Sequence, residues 1–439
     1  MDSASPEKDE AAGAAPPPFR EAFLFWLKLG WISFGGPAGQ IAIMHQELVD
    51  KKRWISNDRF LHALNYCMLL PGPEAQQLAT YIGWLLHRTR GGIAAGVLFV
   101  LPSVFILFAL SSVYVAFGTL PWVAAVFNGL KAAVLAIVLA AVIKIGKKSL
   151  KNNLLIAIAV ISFVATYFFK FPFPALIVTV GIVGAIGSQL APGLFTAGSK
   201  SGSAAPLAGQ VEEHGRTTSL VRNLKLLAIF IALWGVPLIA LYALLPGSIF
   251  ATEALFFTKA AFLTFGGAYS LLGYIAQAGV EQYGWLTSLQ MMDGLGLAET
   301  TPGPLIMVVQ FVGFVAGWNH PATLGPALGS LTGSLVATYF TFLPSFMFIF
   351  LGAPYVERLA GNSRMSAALA TITPAVVGVI LNLGVWFGSH VLFPAGGFAW
   401  FPALLAIAAF CLLQFFKIGI IPIIAGSGAL GLAWHLLGL

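Results

Sequence analysis

Charge is what this chain has least of. Of its 439 residues, 9% are Asp, Glu, Lys or Arg and 58% are hydrophobic, where a soluble domain carries about 25% charged residues. That leaves too little charge to cover a water-facing surface, so lipid is the solvent expected for most of the chain. Cysteine is nearly absent: Cys67 and Cys411 stand alone in apolar stretches without CxxC spacing. This disfavours a disulfide framework or a zinc site, and both read as small buried hydrophobes. His45, His62, His87, His320, His390 and His435 show no metal-ligand spacing and read as packing or interface residues, so no metal is expected. No Walker loop, nucleophile elbow or zinc-protease helix is present, which disfavours ATP-driven transport within the chain and membrane proteolysis. No cofactor is expected either.

The net charge of +7 does not point to nucleic acid, because no basic stripe carries interleaved aromatics. The basic residues fall in short loops, as membrane orientation requires. Residues 1–18 are polar and rich in Pro and Ala, without the apolar core of a signal peptide; a disordered tail is expected there.

What the chain does have is a repeat. Phe34-Gly35-Gly36 recurs as Phe265-Gly266-Gly267, and Pro71-Gly72-Pro73 recurs as Pro302-Gly303-Pro304, both 231 residues on. Trp54 and Trp285 keep that step, as do Lys28 and Lys259. Further along, Leu101-Pro102-Ser103 matches Leu343-Pro344-Ser345 at a step of 242. Apolar blocks long enough to span a bilayer, about 20 residues each, fall into two sets of six. The first two blocks of each set are interrupted, at the FGG and PGP motifs. The expected organisation is a first repeat over 19–192, a linker over 193–221, a connecting helix over 222–246 and a second repeat over 247–439. The linker contains the polar, Gly/Ser-rich stretch Gly198–Thr218.

Loop charges set the relative orientation of the repeats. Arg88 and Arg90, and the group Lys144, Lys147, Lys148 and Lys151, flank the third and fourth blocks of the first set, while the turn at Gly118–Pro121 is uncharged. In the second set the bias is reversed: Trp318–Pro321 and the stretch after Ser389 carry no Lys or Arg, and Arg358 and Arg364 stand where the uncharged turn was. The positive-inside rule then predicts two inverted repeats, with the linker in the cytoplasm. The fold expected is an all-α polytopic membrane protein of two inverted-topology repeats with broken or re-entrant helices. Each interrupted block reads either as one kinked span or as a re-entrant hairpin.

The breaks are the candidate site. Gly and Pro cost about 1 and 3 kcal/mol inside a helix, and backbone freed in mid-membrane survives only when buried in protein or lining a wet cavity. A helix that restarts after such a break presents free N–H groups and a positive dipole end. Gly35, Gly36, Pro37, Pro71, Gly72 and Pro73 in the first copy, and Gly266, Gly267, Pro302, Gly303 and Pro304 in the second, thus read either as packing kinks or as an oxyanion cradle. Gln77, with Gln76 and Thr80, either donates to a ligand or ties helices together. Lys28 and Lys259 either snorkel to the interface or attract a dianion, and Lys131 is a further cation. Glu74 at a new helix start and Glu299 ahead of the second break are intramembrane carboxylates. Each is a proton carrier or a buried structural group. The copies are not identical: Pro37 is matched by Ala268 and Glu74 by Leu305.

Trp31–Ala42 (WISFGGPAGQIA), the Trp54 region, residues 70–83 (LPGPEAQQLATYIG) and the second FGG…TPGP pair together resemble the chromate ion transporter family, in its long two-domain form. The resemblance runs from about Phe19 to Leu437. It implies a multi-pass protein of the bacterial inner membrane that exports chromate, as a secondary transporter and antiporter, and confers chromate resistance. It implies chromate as the ligand, with sulfate or another oxyanion as the alternative and an oxyanion channel as a rival mechanism. The family's motifs carry over to the glycines and prolines of the four breaks and to Glu74, the candidate oxyanion site. The partners expected are the anion and the lipid bilayer, not nucleic acid, and a homodimer is left open.

Overall fold

The computed structural model describes residues 16–190, 220–265, 267–353, 363–394 and 397–438. Most of the expected tail, most of the expected linker, Gly266 and Arg358 lie outside the described residues. All regular structure among the described residues is helical, and six of the helices are long and apolar enough to cross a membrane.

The first repeat runs through α1 (Phe19–Ile32), α2 (Gly36–His45), α3 (Asn57–Cys67), α4 (Glu74–Phe117), α5 (Pro121–Ser149), α6 (Asn153–Phe168) and α7 (Phe173–Leu190). α8 (Leu220–Leu244) follows. The second repeat has α9 (Ile249–Leu263), α10 (Ala268–Ala276), α11 (Ser288–Thr300), α12 (Val308–Asn319), α13 (Pro326–Gly352), α14 (Ser363–Leu392), α15 (Trp400–Gln414) and α16 (Ile420–Leu436). The local signals repeat with the motifs. Both α2 and α10 run on into one π-helical turn, Gln46–Lys51 and Gln277–Gln282, at the same step of 231. The N-caps repeat too: the Ser56 side chain accepts from the Arg59 N–H, and Thr287 opens α11 with a capping box to Gln290. Each cap satisfies an N–H that the helix itself leaves free.

Both interrupted blocks in each copy are re-entrant hairpins, which decides between the two readings of the sequence. Lys52, beyond the end of α2, pairs with Glu21 at the start of α1 at 3.0 Å, and the Trp54 ring lies 5.2 Å from that of Phe25. The chain has therefore returned to the side it entered. The next hairpin does the same. α4 bends back at His87 and Arg88, the latter at φ 54°, and the His87 Nε2 is 2.6 Å from the Pro17 carbonyl oxygen. In the second copy the Phe256 and Trp285 rings lie 5.3 Å apart, and the Asn319 Nδ2 donates to the Trp285 carbonyl at 3.0 Å.

The two repeats are inverted. α5 and α14 are equivalent helices, and they lie side by side running in opposite directions. Leu135 meets Gly388, Leu139 meets Gly384 and Val377 meets Gly146, and in each pair the residue numbers add to 523. The first and last pairs exchange under the step of 242, so a two-fold axis passes through the middle of this helix pair. The outer helices are swapped across that axis. α6 and α7 lie on α14 of the other repeat, while α15 and α16 lie on α5. Small residues permit the closest of these approaches, as is usual between membrane helices: Gly129 faces Ser427 and Gly431, and its mate, Thr371, faces Gly184. The Thr371 hydroxyl also donates to the Val180 carbonyl of α7 at 3.0 Å.

Candidate functional site

The hairpin tips meet in two pairs, each pair across the repeats. The Gly72 N–H donates to the Thr264 carbonyl at 2.8 Å, and the Gly303 N–H donates to the Ser33 carbonyl at 2.7 Å. Ser33 and Thr264 are themselves related by the step of 231, as Gly72 and Gly303 are. Each Pro-Gly-Pro tip thus docks on the residue that precedes the Phe-Gly-Gly break of the other copy. Gly72 has φ 125° and Gly303 has φ 101°, a region that side-chain-bearing residues rarely occupy. The prolines on either side fix the neighbouring φ angles, so the tip is a defined shape.

Pro102 and Pro344 lie inside α4 and α13. Next to them, Ser103 sits against Gly303 and Ser345 sits against Gly72. Both serines are buried, and neither hydroxyl has a hydrogen-bond partner among the described residues. A buried hydroxyl without a partner costs about 1–3 kcal/mol, so two at symmetry-related places call for an explanation. Amide oxygens in the same region share the condition. Gln40 donates its Nε2 to the Gly303 carbonyl at 2.5 Å, and Gln77 donates to the Pro71 carbonyl at 2.7 Å, yet the Oε1 atoms of both are unpartnered. Gln76 is tied to Thr80 at 3.1 Å, and Gln310 spans to the Val104 carbonyl of α4 at 2.8 Å. Gln310 therefore ties helices together, whereas Gln77 shapes a tip.

The copies differ in access. In the first, Gly35 is exposed and Gly36, Pro37, Pro71 and Glu74 are half-buried; in the second, Pro302, Gly303, Pro304 and Leu305 are all buried. Gly35 is in the left-handed region at φ 88°, and α2 starts on the next residue with Pro37 in its first turn. The N–H groups of Gly36 and Ala38 precede the first in-helix bonds and point to the exposed tip. Gly267 opens α10 at φ 95°. Glu74 begins α4 with no side-chain cap bond, so it is not the N-terminal cap. Glu299 is buried and accepts a hydrogen bond from the Tyr269 hydroxyl at 2.7 Å.

Lys28 and Lys259 are both exposed and stand nine and ten residues into α1 and α9, roughly 14 Å along the helix at about 1.5 Å per residue. Cys67 is buried and Cys411 is half-buried, and both are free.

Several polar residues escaped the sequence reading. Gln40, Ser103 and Ser345 acquire their setting only from the other repeat, although the LPS match at a step of 242 was a signal for the serines. Glu253 is buried in α9 with both carboxylate oxygens unpartnered among the described residues. Asp293 of α11 is buried beside Lys131 and Tyr114.

The chromate transporter family model matches residues 20–185 and 251–432, one segment in each repeat. A chromate transport protein of Pseudomonas aeruginosa is 34% identical over 85% of this chain and 82% of its own length. A chromate transport protein of Cupriavidus metallidurans is 30% identical over 98% of both chains. A probable chromate transport protein of Synechococcus elongatus is 29% identical over 84% of both. Among solved structures none matches the chain. With both halves matched, and two relatives of this identity aligned along most of their length, the chain belongs to the chromate transporter family.

Proposed function

We propose that this protein is a secondary transporter that exports chromate from the cytoplasm across the bacterial inner membrane, and so confers chromate resistance. It is a transporter and not an enzyme, in keeping with the names of its relatives. The observation that carries the reading is the docking of each PGP tip on the opposite FGG break, each beside an unpartnered buried serine. Chromate is a tetrahedral dianion, and a site for it needs several converging donors and no competing acceptor charge. In the first copy, with its breaks at Gly35, Gly36, Pro37, Pro71, Gly72 and Pro73, the first N–H groups of α2 supply donors. In the second, with its breaks at Gly266, Gly267, Pro302, Gly303 and Pro304, the first N–H groups of α10 do the same. The helix ends add their dipoles, and Ser103, Ser345 and the Gln77 amide complete the set. Lys28 and Lys259 raise the local potential for a dianion.

Glu74 and Glu299 are the candidate proton carriers of an antiport cycle. The domain plan is the one expected from the sequence, with the linker over 193–221 in the cytoplasm. Arg88, Arg90 and the lysines at the end of α5 share the face from which the first hairpins enter, which supports placing that face inside. A first break exposed at Gly35 and a second PGP tip wholly buried suit a site open to one side at a time. Inverted repeats provide the second state by exchanging roles.

Chromate uptake into everted membrane vesicles tests this. Vesicles containing the protein are expected to concentrate chromate when their interior is acidified, and an uncoupler should abolish the accumulation. Glu74→Gln is expected to remove the dependence on the pH gradient. Sulfate in excess measures how far the site separates the two dianions. Equilibration without accumulation would indicate a channel, and chromate reduced rather than moved would indicate an enzyme.

A further inference from the structure

A second polar cluster lies away from the tips, and the transport reading does not use it. Asp293 on α11 is buried. Its Oδ2 accepts from the Tyr114 hydroxyl of α4 at 2.9 Å, and its Oδ1 is 3.5 Å from the Lys131 Nζ of α5, with no hydrogen bond to that oxygen among the described residues. Lys131 also donates to Asn128 Oδ1 at 3.2 Å. The pair joins the two repeats, with 12% and 6% of the Lys131 and Asp293 side chains exposed. The small opening on the lysine faces a cavity of about 460 Å3, lined among others by Asn128, Lys131, Leu289, His390, Trp434 and His435. It sits where α5 begins and α14 and α16 end, on the face opposite the entry of the first hairpins. At about 30 Å3 per water, that volume admits a hydrated tetrahedral dianion. Lys131 is thus a cation with a buried carboxylate on one side and, on the other, an open and mostly apolar cavity whose polar lining residues besides Lys131 are Asn128, His390 and His435.

We propose that this cavity is a second oxyanion subsite, in which Lys131 binds the transported dianion and Asp293 is the built-in anion that competes for the same ammonium group. With Asp293 charged, Lys131 is held by the carboxylate and the subsite is weak. Neutralising Asp293 releases the lysine to the cavity, while Tyr114 still has an oxygen to donate to. A proton on Asp293 therefore favours an anion on Lys131, and by reciprocity the bound anion favours the proton, so the two occupancies are positively coupled. The groups that face Asp293 are few. They are Lys131 on α5, Tyr114 on α4, and His390 and His435 across the cavity on α14 and α16; the packed stretch Leu305–Asn319 brings no Asp, Glu, Lys or Arg. The inference rests on the oxyanion reading above but not on its location at the tips.

Equilibrium binding of radiolabelled chromate and sulfate to the full chain in nanodiscs tests it, each variant first shown to be monodisperse. Asp293→Asn is expected to tighten one class of sites on the order of tenfold and to flatten its pH profile. Lys131→Gln should remove that class, Lys131→Arg should keep it, and Asp293→Asn combined with Lys131→Gln should bind like Lys131→Gln alone. Should Asp293→Asn not fold, Tyr114→Phe is the second probe: it leaves the carboxylate to Lys131 alone and is expected to weaken the class. His435→Gln controls for histidine titration and should retain the pH profile. Binding that is unchanged or weaker in folded Asp293→Asn, or tighter even without Lys131, would overturn the subsite while leaving the tips untouched. Absence of any oxyanion binding to the wild type would overturn the transport reading as well.

Discussion

Gly72→Ala and Gly303→Ala are expected to abolish chromate transport and to lower the melting temperature of the purified protein. Each glycine is at a φ above 100°, where an added side chain costs about 1–3 kcal/mol in backbone strain. The space is also taken. A Cβ on Gly72 would lie 2.6 Å from the Gln77 Nε2 and 2.8 Å from the Ser345 Oγ, and a Cβ on Gly303 would lie 3.0 Å from the Ser103 Cβ. Gln77 and Ser345 can turn aside from the added atom, so backbone strain is the larger cost, and easing that strain moves the tip and weakens its N–H bond to the other repeat. Gly36→Ala is the contrast. Its φ is 68° but nothing stands within 4 Å of the added atom, so it should lose stability of about 1–2 kcal/mol from strain alone and keep its fold. Fluorescence-detected size-exclusion and thermal melts separate the two cases. Equal behaviour of Gly36→Ala and Gly303→Ala would show that the contact between repeats is not what the glycines protect.

The second large effect concerns affinity rather than stability. Ser103→Ala and Ser345→Ala each remove a buried hydroxyl that has no protein partner, so the fold should lose nothing and is expected to keep its melting temperature. A hydrogen bond to a charged group contributes about 1.5–3 kcal/mol. Each substitution should therefore raise the half-saturation concentration for chromate by about tenfold or more, and the double variant should come near the product of the two. Vesicle uptake over a range of chromate concentrations reads this directly. Unchanged half-saturation in both variants would mean that the hydroxyls do not meet the anion.

These effects follow from features that were unevenly legible in the sequence. The breaks were legible because Gly and Pro inside apolar blocks leave few structural options, and their common step of 231 revealed two copies. Loop charge indicated the inversion, which the antiparallel pairing of α5 with α14 bears out. Whether the breaks bend a span or reverse it was open, because both return the chain to a permitted side. Contacts such as Glu21 with Lys52 decide it. The docking of each PGP tip on the opposite FGG break was not legible, since it joins residues about 190 or 270 positions apart in sequence and no local periodicity encodes such a pairing. The same holds for Ser103, Ser345 and the Lys131–Asp293 pair. Lys28 and Lys259 show the reverse: their repeat was visible, but that α1 and α9 are half-length elements rather than full spans was not.

The repeat symmetry is also incomplete in a way that bears on mechanism. Leu305 replaces Glu74, Ala268 replaces Pro37, and the second PGP tip is wholly buried while the first is not. The first copy therefore offers both the accessible N–H groups and the carboxylate, and transport should be more sensitive to Pro37 and Glu74 than to their counterparts.

Hydrogen exchange of the full chain in nanodiscs, with and without chromate, measures the anion at its ligands. Amides of residues 34–38 at the exposed first tip are expected to exchange more slowly as chromate rises, with a midpoint that matches half-saturation of transport. Saturated transport with no protection at that tip would contradict the assignment of the oxyanion to the paired breaks.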